Sequence, residues 1–269
     1  MLRKFSTSRT LSDNIKLGGL TAFTAGTINI ASLLIFFNFT SNITGHYAIL
    51  ASEISKGNIG QVAIVSSWII LFFFGNFVSN FIVINITKYS QYLAHALPLI
   101  LQICCLLFVG YYGNNYYNDG QLETEFLVSV MLFATGLQNG LTASISNFAI
   151  KTTHLTGTTT DLGILASMFT QKKFRKNKAL VGRAKVLVAI VLCYILGAVF
   201  SGITYYHLKF NVFYIISCCL LLVICYDFYK IHVRHFNTNY RYHRIYKKTN
   251  PVIIFLIRIQ EKKTAQTSY

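Results

Sequence analysis

Apolar runs of about 20 residues recur along the chain, separated by short polar stretches. They cover Gly18–Phe39, Val62–Ile86, Leu93–Tyr112, Phe126–Ile150, Val186–Tyr206 and Phe213–Tyr229. At about 1.5 Å per helical residue, such a run covers a hydrocarbon core of about 30 Å, so the pattern predicts an all-α membrane protein with six transmembrane helices. Two further apolar pieces, Tyr47–Ser55 and Leu162–Phe169, are too short to cross alone. They read as short broken or re-entrant helices after spans 1 and 4. The first run reaches Phe39 with no small-residue cleavage site before the next polar stretch, so it is expected to remain as a span and not to be removed as a signal peptide.

The pattern repeats at a finer level. Gly26-x-x-Asn29-x-x-Ser32 in the first span returns as Gly136-x-x-Asn139-x-x-Thr142 in the fourth, an offset of 110. Thr40-Ser41-Asn42-Ile43-Thr44-Gly45-His46 returns as Thr152-Thr153-His154-Leu155-Thr156-Gly157-Thr158, an offset of 112, so the second copy holds two extra residues. Gly75-x-x-x-Ser79 and Gly197-x-x-x-Ser201 extend the match to spans two and five at an offset of 122. Repeats with three spans each must enter the bilayer from opposite sides, so the sequence predicts two inverted three-helix repeats. The expected organisation is a cytoplasmic basic leader (1–16), a first repeat (17–112), an external acidic linker (113–125), a second repeat (126–229) and a cytoplasmic basic tail (230–269).

Composition agrees with a lipid environment: 54% of residues are hydrophobic, only 12% are charged, and mean hydropathy is +0.50. Basic residues favour cytoplasmic loops, and 22 of the 24 fall in segments that share one side if both termini are inside. Only Lys56 and Lys209 fall on the other side. The net charge of +16 is thus mainly a topology signal, and nucleic acid is not an expected partner. All six cysteines lie within apolar runs, none in a C-x-x-C spacing, so neither a disulfide frame nor a metal site is read from them.

Candidate chemistry centres on the repeated motifs. Glycine tolerates the backbone angles of a helix break, and a threonine hydroxyl can cap the helix that follows. The following helix would then present its free N–H groups and positive dipole end to whatever sits beside Thr44 or Thr156. Thr135, Asn139, Thr142 and Ser146 share one face of span four, and Asn29 with Ser32 begins the equivalent face of span one. Such residues line a path or make interhelical packing contacts. The substrate-binding candidates are Asn29, Ser32, Thr44, Gly45, Gln138, Asn139, Thr142, Thr156 and Gly157. Glu53 and Asp161, shortly after the motifs, are candidate coupling groups or solvated helix-end residues. No catalytic motif, nucleotide loop or cofactor signature occurs, so an enzyme is not expected. His232 and His235 give only a weak metal signal, and no metal is assigned. Val252–Ile259, bracketed by basic residues in the tail, reads as an interfacial segment on anionic lipid.

The glycine-rich first span, the Thr-Gly motif, Gly136-Leu137-Gln138-Asn139 and the Thr153–Thr158 motif together resemble the YoaK-like family of bacterial inner-membrane proteins. The resemblance covers roughly residues 17–229, with His46 where the family usually has Asn after Thr-Gly. It implies a six-span protein of the bacterial inner (plasma) membrane, taken to be a transporter of unassigned substrate. The expected function is transport of a neutral or small anionic molecule through a site between inverted repeats, by a single chain or a homo-oligomer. Two alternatives stay open: a non-transporting scaffold or sensor acting through the basic tail, and a lipid-active enzyme, for which few acids, bases or nucleophiles are available.

Overall fold

The structure, a computed structural model, describes residues 10–229. The first nine residues of the basic leader and the whole basic tail from 230, with its interfacial segment and histidines, lie outside the described residues. The chain divides into two units, 1–224 and 225–269, and the described part of the second is the helical stretch 225–229.

The described residues form helices without strands: α1 (Leu11–Phe36), α2 (Ile43–Lys56), α3 (Ile59–Ile86), α4 (Gln91–Asn115), α5 (Gln121–Ser146), α6 (Leu155–Met168), the single turn α7 (Lys172–Arg175), α8 (Lys178–Leu208) and α9 (212–229). Among the described residues, five stretches are long and apolar enough to cross a membrane: α1, α3, α4, α5 and the combined stretch from Lys178 to Tyr229. The last is interrupted by a 3-10 turn at Lys209–Asn211, where Lys209 takes φ 44°.

Several helices extend beyond the apolar runs that announce them, and at the start of α1 a polar cap sets the end. α1 starts at Leu11, seven residues before the apolar run, because Thr10 and Asp13 form a reciprocal capping box. α5 starts at Gln121 and α4 continues to Asn115, so the expected linker Gly113–Glu125 shrinks to residues 116–120. α2 and α6 begin inside the repeated motifs and are longer than their apolar cores.

The helices pair across the halves. Glycines let backbones touch where a Cβ would collide with a facing carbonyl: Gly26 with Tyr194 and Gly197 with Phe23 on the α1–α8 pair, Gly136 with Phe72 and Gly75 with Phe133 on the α3–α5 pair. Each contact of the first pair maps onto one of the second by the offsets 110 and 122. The contact order makes α1 parallel to α8 and α3 parallel to α5. α1 and α5 are antiparallel, with Gly18 beside Ile150, Thr24 bonded to Gln138, and Thr40 bonded to Thr135. α4 and α9 form the remaining pair: Tyr92 Oη donates to the Ile224 carbonyl at 2.8 Å, and Gly110 lies under the Tyr214 ring.

α1 and α5 are the central helices, 72% and 67% buried over their most apolar windows, against 17% for α3. The exposed side of α3 carries Ile70, Phe73, Phe74, Phe77, Phe81 and Ile84, a face suited to lipid. The centre is polar: Thr21, Thr24, Thr27, Asn29, Ser32, Gln102, Thr135, Gln138 and Thr142 are all buried. Gln138 ties three helices together. Its Nε2 donates to the Thr21 carbonyl at 2.6 Å, and its Oε1 accepts from Thr24 Oγ1 at 3.0 Å and Gln102 Nε2 at 2.6 Å.

Candidate functional site

Each repeated motif forms a helix break. After α1, Phe37 turns left-handed (φ 55°), and the chain runs extended to Asn42, whose Oδ1 caps α2 by accepting from the Gly45 amide at 3.1 Å. A Cβ on Gly45 would lie 2.6 Å from Asn42 Nδ2, so glycine leaves room for the cap. After α5, both Asn147 (φ 52°) and Phe148 (φ 61°) are left-handed, and α6 begins after His154, whose side chain makes no capping bond. A Cβ on Gly157 would collide with the His154 imidazole, so glycine again makes room for the residue three positions before it. Asparagine and histidine, not threonine, thus occupy the cap positions. The two extra residues of the second copy fall between Asn147 and Thr152, a stretch that includes Phe148 and Lys151.

Three cavities are arranged around these breaks. The central one, about 400 Å³, is lined by Ser41, Asn42 and Thr44 of the first motif, Thr153, His154 and Thr156 of the second, and Phe72, Asn76 and Asn139. Among the described residues, no carboxylate lines it, and Lys151 is its one lysine or arginine. A wider cavity of about 740 Å³ lies beside α6 and the start of α8 and is lined by Asn14, Lys151, Gly157, Asp161, Lys178 and Arg183 among others. Phe148, Lys151 and His154 line both. A third cavity, about 300 Å³, is lined by Asn38, Ile49, Gln61, Val65, Trp68, Gln121, Thr124 and Glu125. By the repeat offsets Ile49 matches Asp161, Gln61 matches Arg183, Val65 matches Leu187, and Gln121 and Thr124 match Leu11 and Asn14. The wide and narrow cavities are therefore counterparts under the repeat offsets.

The candidate residues distribute unevenly. Thr44, Asn139 and Thr156 meet at the central cavity, and Gly157 with Asp161 lines the wide one. Asn29 is occupied within the protein: its Oδ1 accepts from the amides of Thr40 (2.9 Å) and Ser41 (3.0 Å), and its Nδ2 donates to Tyr194 Oη (2.9 Å). Ser32 Oγ donates to the Asn38 carbonyl, and Thr142 Oγ1 to the Asn139 carbonyl. Gln138 belongs to the polar crosslink and lines none of these cavities. Gly45 packs on Asn42, away from the cavity walls.

The two acids also part company. Asp161 accepts from Arg183 Nη2 at 2.8 Å at the wall of the wide cavity. Glu53 sits at the far end of α2, where hydrogen bonding from Lys56 (2.6 Å), aided by Asn58, holds its carboxyl below the usual carboxylate range. Sequence reasoning missed Tyr194, Phe72 and Lys151. The first two face the motifs from other spans, and their roles are legible only once the offset of 122 pairs them; Lys151 lies in the inserted stretch, which has no counterpart to draw attention to it.

Long apolar helices with polar groups turned inward define a multi-pass helical membrane protein. Residues 17–226 match the model of the DUF1275 family, and the chain belongs to this family of proteins of unknown function. No curated protein and no solved structure matches the chain.

Proposed function

We propose that this protein is a small-molecule transporter of six spans, counting α8 and α9 separately, built as two inverted repeats with the substrate site between them. The observation that carries the reading is the central cavity, walled by both copies of the repeated motif through Thr44 and Thr156, with Asn139 between. Broken helices that end at a shared chamber are a recurring way to bind a substrate at mid-membrane. Support for inversion comes from the antiparallel α1–α5 pair and from close contacts that repeat at the sequence offsets. A chamber without carboxylates, bordered by Lys151 and by the starts of α2 and α6, suits a neutral molecule or small anion.

The test is a thermal-shift screen of the purified full-length protein in detergent against nucleobases, amino acids, organic acids, sugars and inorganic anions. A bound ligand at about 100 times its dissociation constant stabilises by about 2.7 kcal/mol. One class is expected to raise the melting temperature of the native protein but not of Thr44→Ala or Asn139→Ala. Equal shifts in native and variant proteins, or none in any class, overturn the assignment of the chamber.

A further inference from the structure

The two halves hold their breaks differently. In the first, Asn29 bridges the amides of Thr40 and Ser41 and the Tyr194 hydroxyl. Asn139, at the same register in the second, has a buried Oδ1 with no hydrogen-bond partner among the described residues. The amides of Thr152 and Thr153, which match Thr40 and Ser41, therefore do not reach it. The cavities differ in the same sense. The one beside the released break holds about 740 Å³, and its counterpart beside the latched break about 300 Å³. In the narrow one Trp68 takes the place of Ile190, donates Nε1 to the Glu125 carbonyl at 3.3 Å, and meets the His46 ring edge-on at 5.3 Å.

We propose that Asn29 and Asn139 are reciprocal latches of an alternating-access device. In the present state the first break is latched and its end shut, while the second break is released and its end open to the chamber. In the opposite state Asn139 Oδ1 accepts from the amides of Thr152 and Thr153, and Asn29 lets go of the first break. An orphaned buried carbonyl oxygen is costly, and this exchange gives Asn139 the partners it lacks. The inference rests on the transporter reading and concerns how access to that site is controlled.

The latches are unequal at one position. Tyr194 corresponds to Phe72 at the offset of 122, and Phe72 lines the central cavity beside Asn139. Only the first latch has a hydroxyl to hold its carboxamide. The device therefore rests in the present state, and a ligand or substitution is needed to populate the other.

The test uses the full-length protein in membranes with its six cysteines replaced by serine. One new cysteine is placed at Val65 in the narrow cavity or at its counterpart Leu187 in the wide one, and the rate of modification by a water-soluble methanethiosulfonate is measured in opened membranes that expose both faces. In the otherwise native chain, Leu187→Cys is expected to react faster than Val65→Cys. Adding Asn29→Leu is expected to raise the Val65→Cys rate by about tenfold, the effect of one or two neutral hydrogen bonds, and to lower the Leu187→Cys rate. Adding Asn139→Leu is expected to lower the Val65→Cys rate further. Tyr194→Phe and Phe72→Tyr, milder changes that serve where Asn29→Leu fails to fold, should each raise it a few-fold. A parallel rise at both reporters, no change at Val65 in any variant, or effects of the same sign from Asn29→Leu and Asn139→Leu overturns the proposal. The assay contains no substrate, so its failure is separate from failure of the ligand screen.

Discussion

Gln138 shows how a polar side chain in an apolar span can be structural. Its carboxamide is fully engaged by Thr21, Thr24 and Gln102, and it lines none of the described cavities. Replacing it with leucine leaves the Gln102 amide without this partner in a buried place, at about 1–3 kcal/mol, while the Thr21 carbonyl keeps its bond from Thr24 Oγ1. Gln138→Leu is therefore expected to lower the melting temperature of the detergent-solubilised protein by several degrees. The double variant Gln138→Leu/Gln102→Leu should lose less than the sum of the two single changes, because Gln102→Leu removes the amide that Gln138→Leu orphans. The sequence presents Gln138 and Asn139 as neighbours with the same chemistry. Only the helix rotation that points one into the α1–α4–α5 seam and the other toward a cavity separates their roles.

At the level of elements, the legible part of the fold was what hydropathy and repetition encode: the apolar runs, the short helices after the first and fourth, and the glycines that recur at fixed offsets. Helix ends were less legible, because Thr10 with Asp13 and Asn42 set two of them through local geometry that no apolar window detects. The glycine contacts give the element scale its own prediction. Gly26→Ala and Gly197→Ala force a methyl group into a facing backbone and should each cost about 1–3 kcal/mol. Gly202→Ala lies five residues further along α8 with open space around it and should be neutral or mildly stabilising. Thermal unfolding of the three variants in one detergent distinguishes packing from a general intolerance of α8 to substitution.

For the whole molecule, the distribution of basic residues and the 3-10 turn at Lys209–Asn211 lead to a topology that can be read directly. Asn114 Nδ2 donates to Asn211 Oδ1 at 2.8 Å, which brings that turn to the same end as the 116–120 linker. Single cysteines at Asn118 and Lys209 should be labelled from one side of the membrane and one at Lys173 from the other. Labelling of Lys209→Cys from the same side as Lys173→Cys would mean that α8 does not cross the membrane between them. The cross-pairing of helices also bears on biogenesis. α1 finds its closest neighbour in α8 and α3 in α5, so each half leaves the ribosome with its glycine faces unmatched. The first three spans must wait in the bilayer, polar seams uncovered, until the second half is made. Neither half is a folding unit, and the interval between their syntheses is when the chain is most exposed to quality control.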